Sequence, residues 1–479
     1  MAAPSPSSES DTLVPLAAGF PAPDRDAWRA LVQKTLKGAA PETLERLTLE
    51  GLPIRPLYEA ADAPALPRPA SGWDARTLVR AADPAQAAAE ALADLAQGAQ
   101  SLLIRLDPTG AEGVAVGSAD TLARLLDGVL LDVAPVALDA GFLGPKAADW
   151  LAAAAKGAPA AQLALHLDPL SAFAAAGASP GPVEAHLISA ATVAARLAEP
   201  YPKASLFLAS GRPAHEAGGG EALELALAAA AALAYAKALV RAGLALDDAF
   251  GRIVLGLSVD ADYFLGLAKL RAARRVWARM TEACGVAAEA KIEARSSGRM
   301  LTRADPWTNM IRLTAAAFAG AAGGADAIVL GAFTDALGPP TPFARRQSRN
   351  IQLVLAEEAN VGRVVDPGGG SGYVEALTDE IARAAWDRFQ QIEAAGGVVK
   401  ALEGGLVAGL AEAARAELQA RIAGRKVRVL GVTDFPIEDG RAADLAAAAA
   451  HAAEAPSPRL PGPDSRCPPL APIRLEDLA

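Results

Sequence analysis

Arg252–Asp260 reads RIVLGLSVD, a nearly unbroken apolar run closed by an acid. A strand with one wet face alternates polar and apolar residues, whereas a strand buried on both faces does not. This segment does not alternate, a helical stretch follows it, and the same unit recurs along the chain. Ser101–Asp107 (SLLIRLD), Val136–Asp139 (VALD), Gln162–Asp168 (QLALHLD) and Ala204–Ser210 (ASLFLAS) come before it. Ala290–Ser296 (AKIEARS), Ala325–Gly331 (ADAIVLG) and Gly362–Asp366 (GRVVD) come after it. Eight such strands alternating with helices over about 270 residues predict an α/β chain folded as a (β/α)8 barrel. A site on such a barrel sits at the carboxyl ends of its strands.

At 479 residues the chain exceeds one barrel, so flanking segments are expected. The pattern divides it into an N-terminal arm (1–99), the barrel (100–372), a helical extension (373–455) and a Pro-rich linker or tail (456–479). Residues 1–15 are Pro/Ser-rich and expected to be mobile. Asp24–Lys37 reads as an amphipathic helix with Trp28, Leu31, Val32 and Leu36 on one stripe. Five prolines in Leu52–Pro69 require extended chain. Beyond the barrel, Tyr373–Gly396 and Gly409–Ile422 read as long helices and Val427–Val432 as one more strand.

A net charge of −10 without a basic stripe argues against a nucleic-acid partner. Two cysteines, Cys284 and Cys467, build no disulfide framework and suit a reducing compartment. The start, MAAPSPSSESDT, has neither a basic segment nor an apolar run of a secretory leader. Ala222–Val240 is apolar but contains Glu224 and Lys237, so it is read as a buried barrel helix and not as a membrane span. A cytoplasmic protein without a membrane partner is expected.

Several separate motifs carry a more specific reading. They are LEGLPIRPLY (from Leu49), AKLRAARRVWA (Ala268–Ala278), the long segment from Asp305 (DPWTNMIRLTAAAFAGAAGGADAIVLG) to Glu358, RVVDPGGGSGYVE (Arg363–Glu375) and WDRFQQIEAAG (Trp386–Gly396). In this order and spacing the chain resembles the barrel of adenosylcobalamin-dependent acyl-CoA mutases, above all the methylmalonyl-CoA mutase family, over about Leu49 to Pro436. The N-terminal helix and GLPIRPLYEAAD resemble the smaller subunit of its heterodimeric members most. The resemblance implies coenzyme A threaded through the barrel axis and cobalamin carried over the mouth by a separate α/β domain. It also implies radical interconversion of methylmalonyl-CoA and succinyl-CoA.

The resemblance also shows replacements. The cobalt-ligating D-x-H-x-x-G pattern encloses none of His166, His186, His215 or His451, so this chain is not expected to bind adenosylcobalamin alone. The family's Tyr-His pair before E-A-G, whose His supports the thioester carbonyl, falls on Arg212 and Pro213; a shifted alignment would offer His215 instead. The Gln before T-S-G falls on Arg295, and the Asn and Glu of N-A-L-D-E fall on Gly331 and Asp335. The R-G-P-Y phrase has become Pro67-Arg68-Pro69, while Tyr58 survives before it. Four changes together remove the catalytic constellation, leaving Tyr58 and Asp335 as cofactor-side candidates and no metal site.

The expected function is therefore the non-catalytic small subunit of a heterodimeric mutase, supporting a large catalytic subunit. Two alternatives stay open: a catalytic barrel working with a separate cobalamin-binding chain, and a regulatory barrel that binds acyl-CoA. Arg345, Arg346 and Arg349, like Arg271, Arg274 and Arg275, are read as ion-paired faces before phosphate or partner contacts. DPGGGSG (Asp366–Gly372) is read as a tight turn, since no Lys-Ser/Thr completes a phosphate loop. Asp107, Asp139, Asp168 and Asp260 close strands and are read as helix caps or turn formers.

Overall fold

The computed structural model describes residues 19–20, 24–61, 66, 72–158, 160–437, 442–447, 451 and 461–479. Eight parallel strands close a barrel: β1 (Asp74–Val79), β2 (Ser101–Arg105), β3 (Val136–Asp139), β4 (Leu163–Leu167), β5 (Ser205–Ser210), β6 (Ile253–Val259), β7 (Ile292–Ser296) and β8 (Ala327–Val329). Neighbours pair in sequence order, and β8 closes on β1 through Ala327–Asp74 and Val329–Arg76. This is the expected (β/α)8 fold. Every residue of β4 and β6 is buried, because helices cover the outside and side chains fill the inside.

Side chains alternate across each strand. Leu103, Ala137, Ala164 and Val329, with Leu78 beside them, form a small apolar cluster apart from the main core. All but Val329, which is followed by Gly331, lie two residues from a charged or polar group on the same face: Arg105, Asp139, His166 and Arg76 or Arg80. The barrel interior is thus a thin apolar layer against ionic ones.

Two strand expectations are corrected. Gly362–Asp366 is not a strand: it begins inside a short 3-10 turn, Val361–Arg363, and Val364 and Val365 are more than half exposed. The eighth strand is β1, at the front, so the barrel begins at Asp74 and not near residue 100. Val427–Val432 forms no strand either; Leu430 makes only an isolated bridge to Asp434.

The helices Gly372–Ala394 and Leu406–Ala423 stand where the periodicity places them. Glu221–Arg241 is the one helix, among the described residues, long and apolar enough to cross a membrane. It packs on β5 and β6 and is mostly buried there. Glu50, in the LEGLPIRPLY motif, caps its start: the Ala222 amide donates to Oε2 at 2.7 Å and the Leu223 amide to Oε1 at 3.1 Å. A carboxylate suits this helix end, where amides lack intrahelical partners.

The Pro-rich end is not a free tail over 461–479. Pro463–Arg466 pairs antiparallel with Ala178–Pro180, beyond β4. From there Cys467 donates to Gly177, Leu470 to Ala174, Ile473 to Glu216 and Leu475 to Arg299, all backbone bonds of 2.8–2.9 Å. This strap is stitched to the loops that follow β4, β5 and β7. Residues 1–15, 67–69 and 456–460 lie outside the described ones.

Met1–Thr48 with Pro53–Tyr58 clusters as a unit of its own. Its helix Arg25–Thr35 is capped by Asp24, whose side chain accepts from the Asp26 amide at 2.9 Å. A short ribbon joins Arg46–Leu47 to Pro53–Ile54. Leu31, Leu44, Leu47 and Leu57 are exposed on it.

Candidate functional site

The carboxyl ends of the strands present Arg80, Arg105, Asp139, Asp168, Ser210, Asp260, Ser296 and Gly331. The barrel axis beneath them is ionic. Glu293 of β7 accepts from Arg295 Nε at 2.6 Å and from Arg76 Nη1 of β1 at 2.5 Å. Arg295 Nη1 crosses to Asp139 Oδ2, at the end of β3, at 2.9 Å. Arg105 Nε and Nη2 meet the same oxygen at 3.2 Å. Arg76 also donates to Ser101 Oγ at 2.9 Å and to Asp74 Oδ2 at 2.8 Å. Burial opposes ionisation of Asp139 and Glu293, but the guanidiniums outweigh it and hold both carboxyls well below the ordinary range.

His166 stands in this layer, its Nδ1 3.8 Å from Glu293 Oε2. Burial, reinforced by Arg76 and Arg295, pushes its pKa down to about 4, so the ring is neutral at pH 7. Its φ of +46° coincides with a register shift between β4 and β5. It lines two cavities, one of about 460 Å³ at the amino end of the barrel and one of about 290 Å³ at the carboxyl mouth. Arg76 and Glu293 line the first and Arg295 the second, so the ionic layer stands between them.

The mouth brings together some of the positions identified from sequence. Arg212, Pro213 and Arg295 line it with Arg105, Asp139 and His166. Pro213 lies in the first turn of the short helix Arg212–Glu216, where its missing N–H costs no helical bond and its ring donates nothing. His215 is fully buried and does not line the mouth. Its Nδ1 lies 3.3 Å from Glu224 and its Nε2 3.6 Å from Asp260, and burial pushes its pKa down.

Gly331 and Asp335 meet at the end of β8. Asp335 Oδ2 accepts from the Ala332 amide at 3.0 Å, and Asp335 pairs with Arg80. A Cβ at Gly331 would sit 2.5 Å from Asp335 Oδ2, so the shorter acid has taken the space an Asn would fill. Tyr58 lies in the N-terminal unit, where its hydroxyl accepts from the Arg55 amide at 2.8 Å.

Five of the six arginines in the remaining clusters are ion-paired within the chain. Arg345 pairs with Glu90, Arg349 with Asp94 at 2.7 Å, Arg271 with Asp366 and Glu375, Arg274 with Asp326 at 3.1 Å, and Arg275 with Glu375 at 2.7 Å. Asp366–Gly372 opens with a tight turn: Gly369 donates to the Asp366 carbonyl at 3.0 Å.

The mouth offers no exposed imidazole to the cobalt of a corrinoid among the described residues. No His, Cys, Asp and Glu group suited to a metal ion occurs among the described residues. His166 and His215 are buried, and the strap crosses the rim, with Leu470 and Pro472 lining the pocket.

Sequence reasoning noticed Arg295 and Asp139 separately but missed that they pair. It missed Arg76 and Glu293 altogether. The available signal was chemical: charged residues at inward positions of otherwise apolar strands.

Comparison with known proteins adds a second line. The family described as methylmalonyl-CoA mutase matches residues 69–456. A methylmalonyl-CoA mutase small subunit of Streptomyces virginiae is 40% identical over 452 residues, covering 88% of this chain and 72% of that protein. The small subunit of Propionibacterium freudenreichii subsp. shermanii is 35% identical over 473 residues, covering 91% of this chain and 72% of its own. The large subunit of Streptomyces virginiae is 29% identical over 472 residues, covering 90% and 64%.

Proposed function

Because the chain belongs to the methylmalonyl-CoA mutase family, we propose that it is the small, non-catalytic subunit of a heterodimeric adenosylcobalamin-dependent mutase, packed against a large catalytic subunit in the cytoplasm. The observation that carries this reading is the ionic layer across the axis. Arg76, Glu293, Arg295 and Asp139 lie across the barrel axis, the route that the family resemblance implies for coenzyme A. Opening it would strip buried charges of their partners, which costs several kcal/mol. Pro213 and Arg212, at the mouth, supply no imidazole for a thioester carbonyl.

Relatedness supports the same reading, since the chain is nearer to the small than to the large subunit of one organism. The exposed leucines of the N-terminal unit, Leu31, Leu44, Leu47 and Leu57, are apolar surface suited to a protein partner. In the holoenzyme the catalytic subunit would hold acyl-CoA and adenosylcobalamin.

The test is co-expression with a large mutase subunit, followed by size-exclusion chromatography and assay of methylmalonyl-CoA isomerisation. A 1:1 complex is expected, active only as the pair. Free monomers in the mixture would overturn the reading. So would turnover by this chain with a separate cobalamin-binding chain and no large subunit.

A further inference from the structure

The carboxyl mouth holds more guanidinium donors than its own acceptors use. Arg105, Arg212 and Arg295 converge on it. Asp139 serves Arg105 and one arm of Arg295. Among the described residues Arg212 has only Glu216, four residues along its helix and 3.6 Å away, beyond hydrogen-bond reach. Glu216 in turn spends Oε2 on the Arg299 amide at 3.2 Å. Arg212 Nε and Arg295 Nη2 are buried and meet no acceptor among the described residues. The Arg295 side chain is only 7% exposed, so bulk water does not satisfy it. Buried N–H groups on charged side chains are seldom left unmet, because each forfeits its hydration without replacement.

The electrostatics of Arg212 point the same way. Around the pocket stand three guanidiniums, two carboxylates, Asp139 and Glu216, and neutral His166, with Glu293 pairing Arg295 from below. Burial raises the remaining acid, Asp168, to about 7, so it is only partly ionised at neutral pH. Burial and Arg295 together press the Arg212 guanidinium below its ordinary value, which an anion beside it would relieve.

We propose that this pocket is a binding site for a small oxyanion, a carboxylate or a phosphate, held between Arg212 and Arg295 beneath the strap at Leu470 and Pro472. A planar guanidinium fork matches two oxygens of either group. The cavity, about 290 Å³, admits a short dicarboxylate or inorganic phosphate, while the ionic layer bars anything threaded along the axis. The two donors stand where catalytic relatives are expected to carry Tyr and Gln. The replacements that silence the barrel thus create the anion site. The site does not depend on pairing with a second subunit.

The test is isothermal titration calorimetry on the full chain with inorganic phosphate and, separately, malonate. One saturable site per chain is expected for at least one anion, and whichever binds identifies the source. Arg212→Met, which leaves the Asp139–Arg295–Glu293 pairs intact, should weaken binding about tenfold or more, with Arg212→Lys intermediate. Thermal unfolding of each variant checks that it is folded; loss of binding in an unfolded Arg212→Met is discounted and the Arg212→Lys result decides. No saturable heat with either anion at millimolar concentration would overturn the proposal, as would binding indifferent to both substitutions.

Discussion

Arg295, on β7, and Asp139, at the end of β3, join hands across the barrel axis at 2.9 Å, and both are anchored from behind by further charges. Glu293 holds Arg295 at 2.6 Å, and Arg105 reaches Asp139 at 3.2 Å. A position that the family resemblance assigns to a neutral Gln near the cofactor has become a structural cross-tie. Restoring the Gln should therefore not restore chemistry. Arg295→Gln leaves Glu293 and Asp139 short of a partner in a buried layer, and such losses cost about 3–5 kcal/mol. Urea unfolding should show that drop, with no mutase activity gained. A variant as stable as the parent would refute the cross-tie.

A second buried pair lies behind the mouth. Lys269 Nζ meets Glu224 Oε2 at 2.6 Å, with side-chain exposures of 2% and 0%. Burial opposes both charges, yet Lys269 is held protonated by Glu224, Glu221 and Asp260, and Glu224 is held ionised by Lys269 and His215. Lys269→Met strands the carboxylate and should cost about 3–5 kcal/mol. Replacing both partners by Met should cost less than the sum of the single changes, which a double-mutant cycle by denaturant titration reads directly.

Asp168 gives a pH signature of the opposite kind. Burial raises its carboxyl to about 7, although Ser171 and Tyr235 hydrogen-bond to it, and Asp139 adds repulsion. Arg105, Arg212 and Arg295 face it across the pocket, with Glu216 and neutral His166. The folded state thus binds this proton more tightly than the unfolded chain, whose carboxyl titrates near the ordinary 3.8. The contribution to stability is complete below that value and declines as pH rises toward 7. Asp168→Asn keeps an acceptor for Tyr235 and Ser171 but removes the titration. Its melting temperature relative to the parent should rise between pH 5 and pH 8. A difference constant across that range would mean Asp168 is ionised throughout.

Seven of the eight strands are legible in the sequence, β7 among them although Glu293 and Arg295 stand in the ionic layer. β2, β4 and β6 read as apolar runs, with Arg105 only at the end of β2 and neutral His166 the one polar break in β4. β1, DARTLV, does not, since Asp74 and Arg76 point inward into the ionic layer and break the apolar signature. Gly362–Asp366 imitates a strand with two valines that are in fact exposed. Among the strand-end acids, Asp168 caps a helix and Asp107 closes a turn, as their chemistry suggests. Asp260 braces its loop through the Asp262 amide while pairing with Arg299 at 2.9 Å. Asp139 departs from the pattern, because its partner lies 156 residues away and no local spacing announces it. The site was legible as a set of replaced positions, but its new wiring was not.

The strap is the last element whose behaviour can be separated from the barrel's. It crosses the mouth on backbone bonds from Cys467, Leu470, Ile473 and Leu475, yet only Cys467 and Leu470 are buried along it. Two buried anchors on a segment otherwise exposed or half-buried favour local opening over global unfolding. Leu470 is 2% exposed, and truncating it to Ala removes apolar burial worth about 2–5 kcal/mol when a cavity remains. If the strap opens on its own, most of that loss is confined to it. Leu470→Ala should then speed amide exchange at Cys467, Leu470 and Ile473, while the amides of Glu221–Arg241 keep the parent's protection and the melting temperature barely moves. A matching fall in protection across that helix would instead make the strap part of the barrel's cooperative unit.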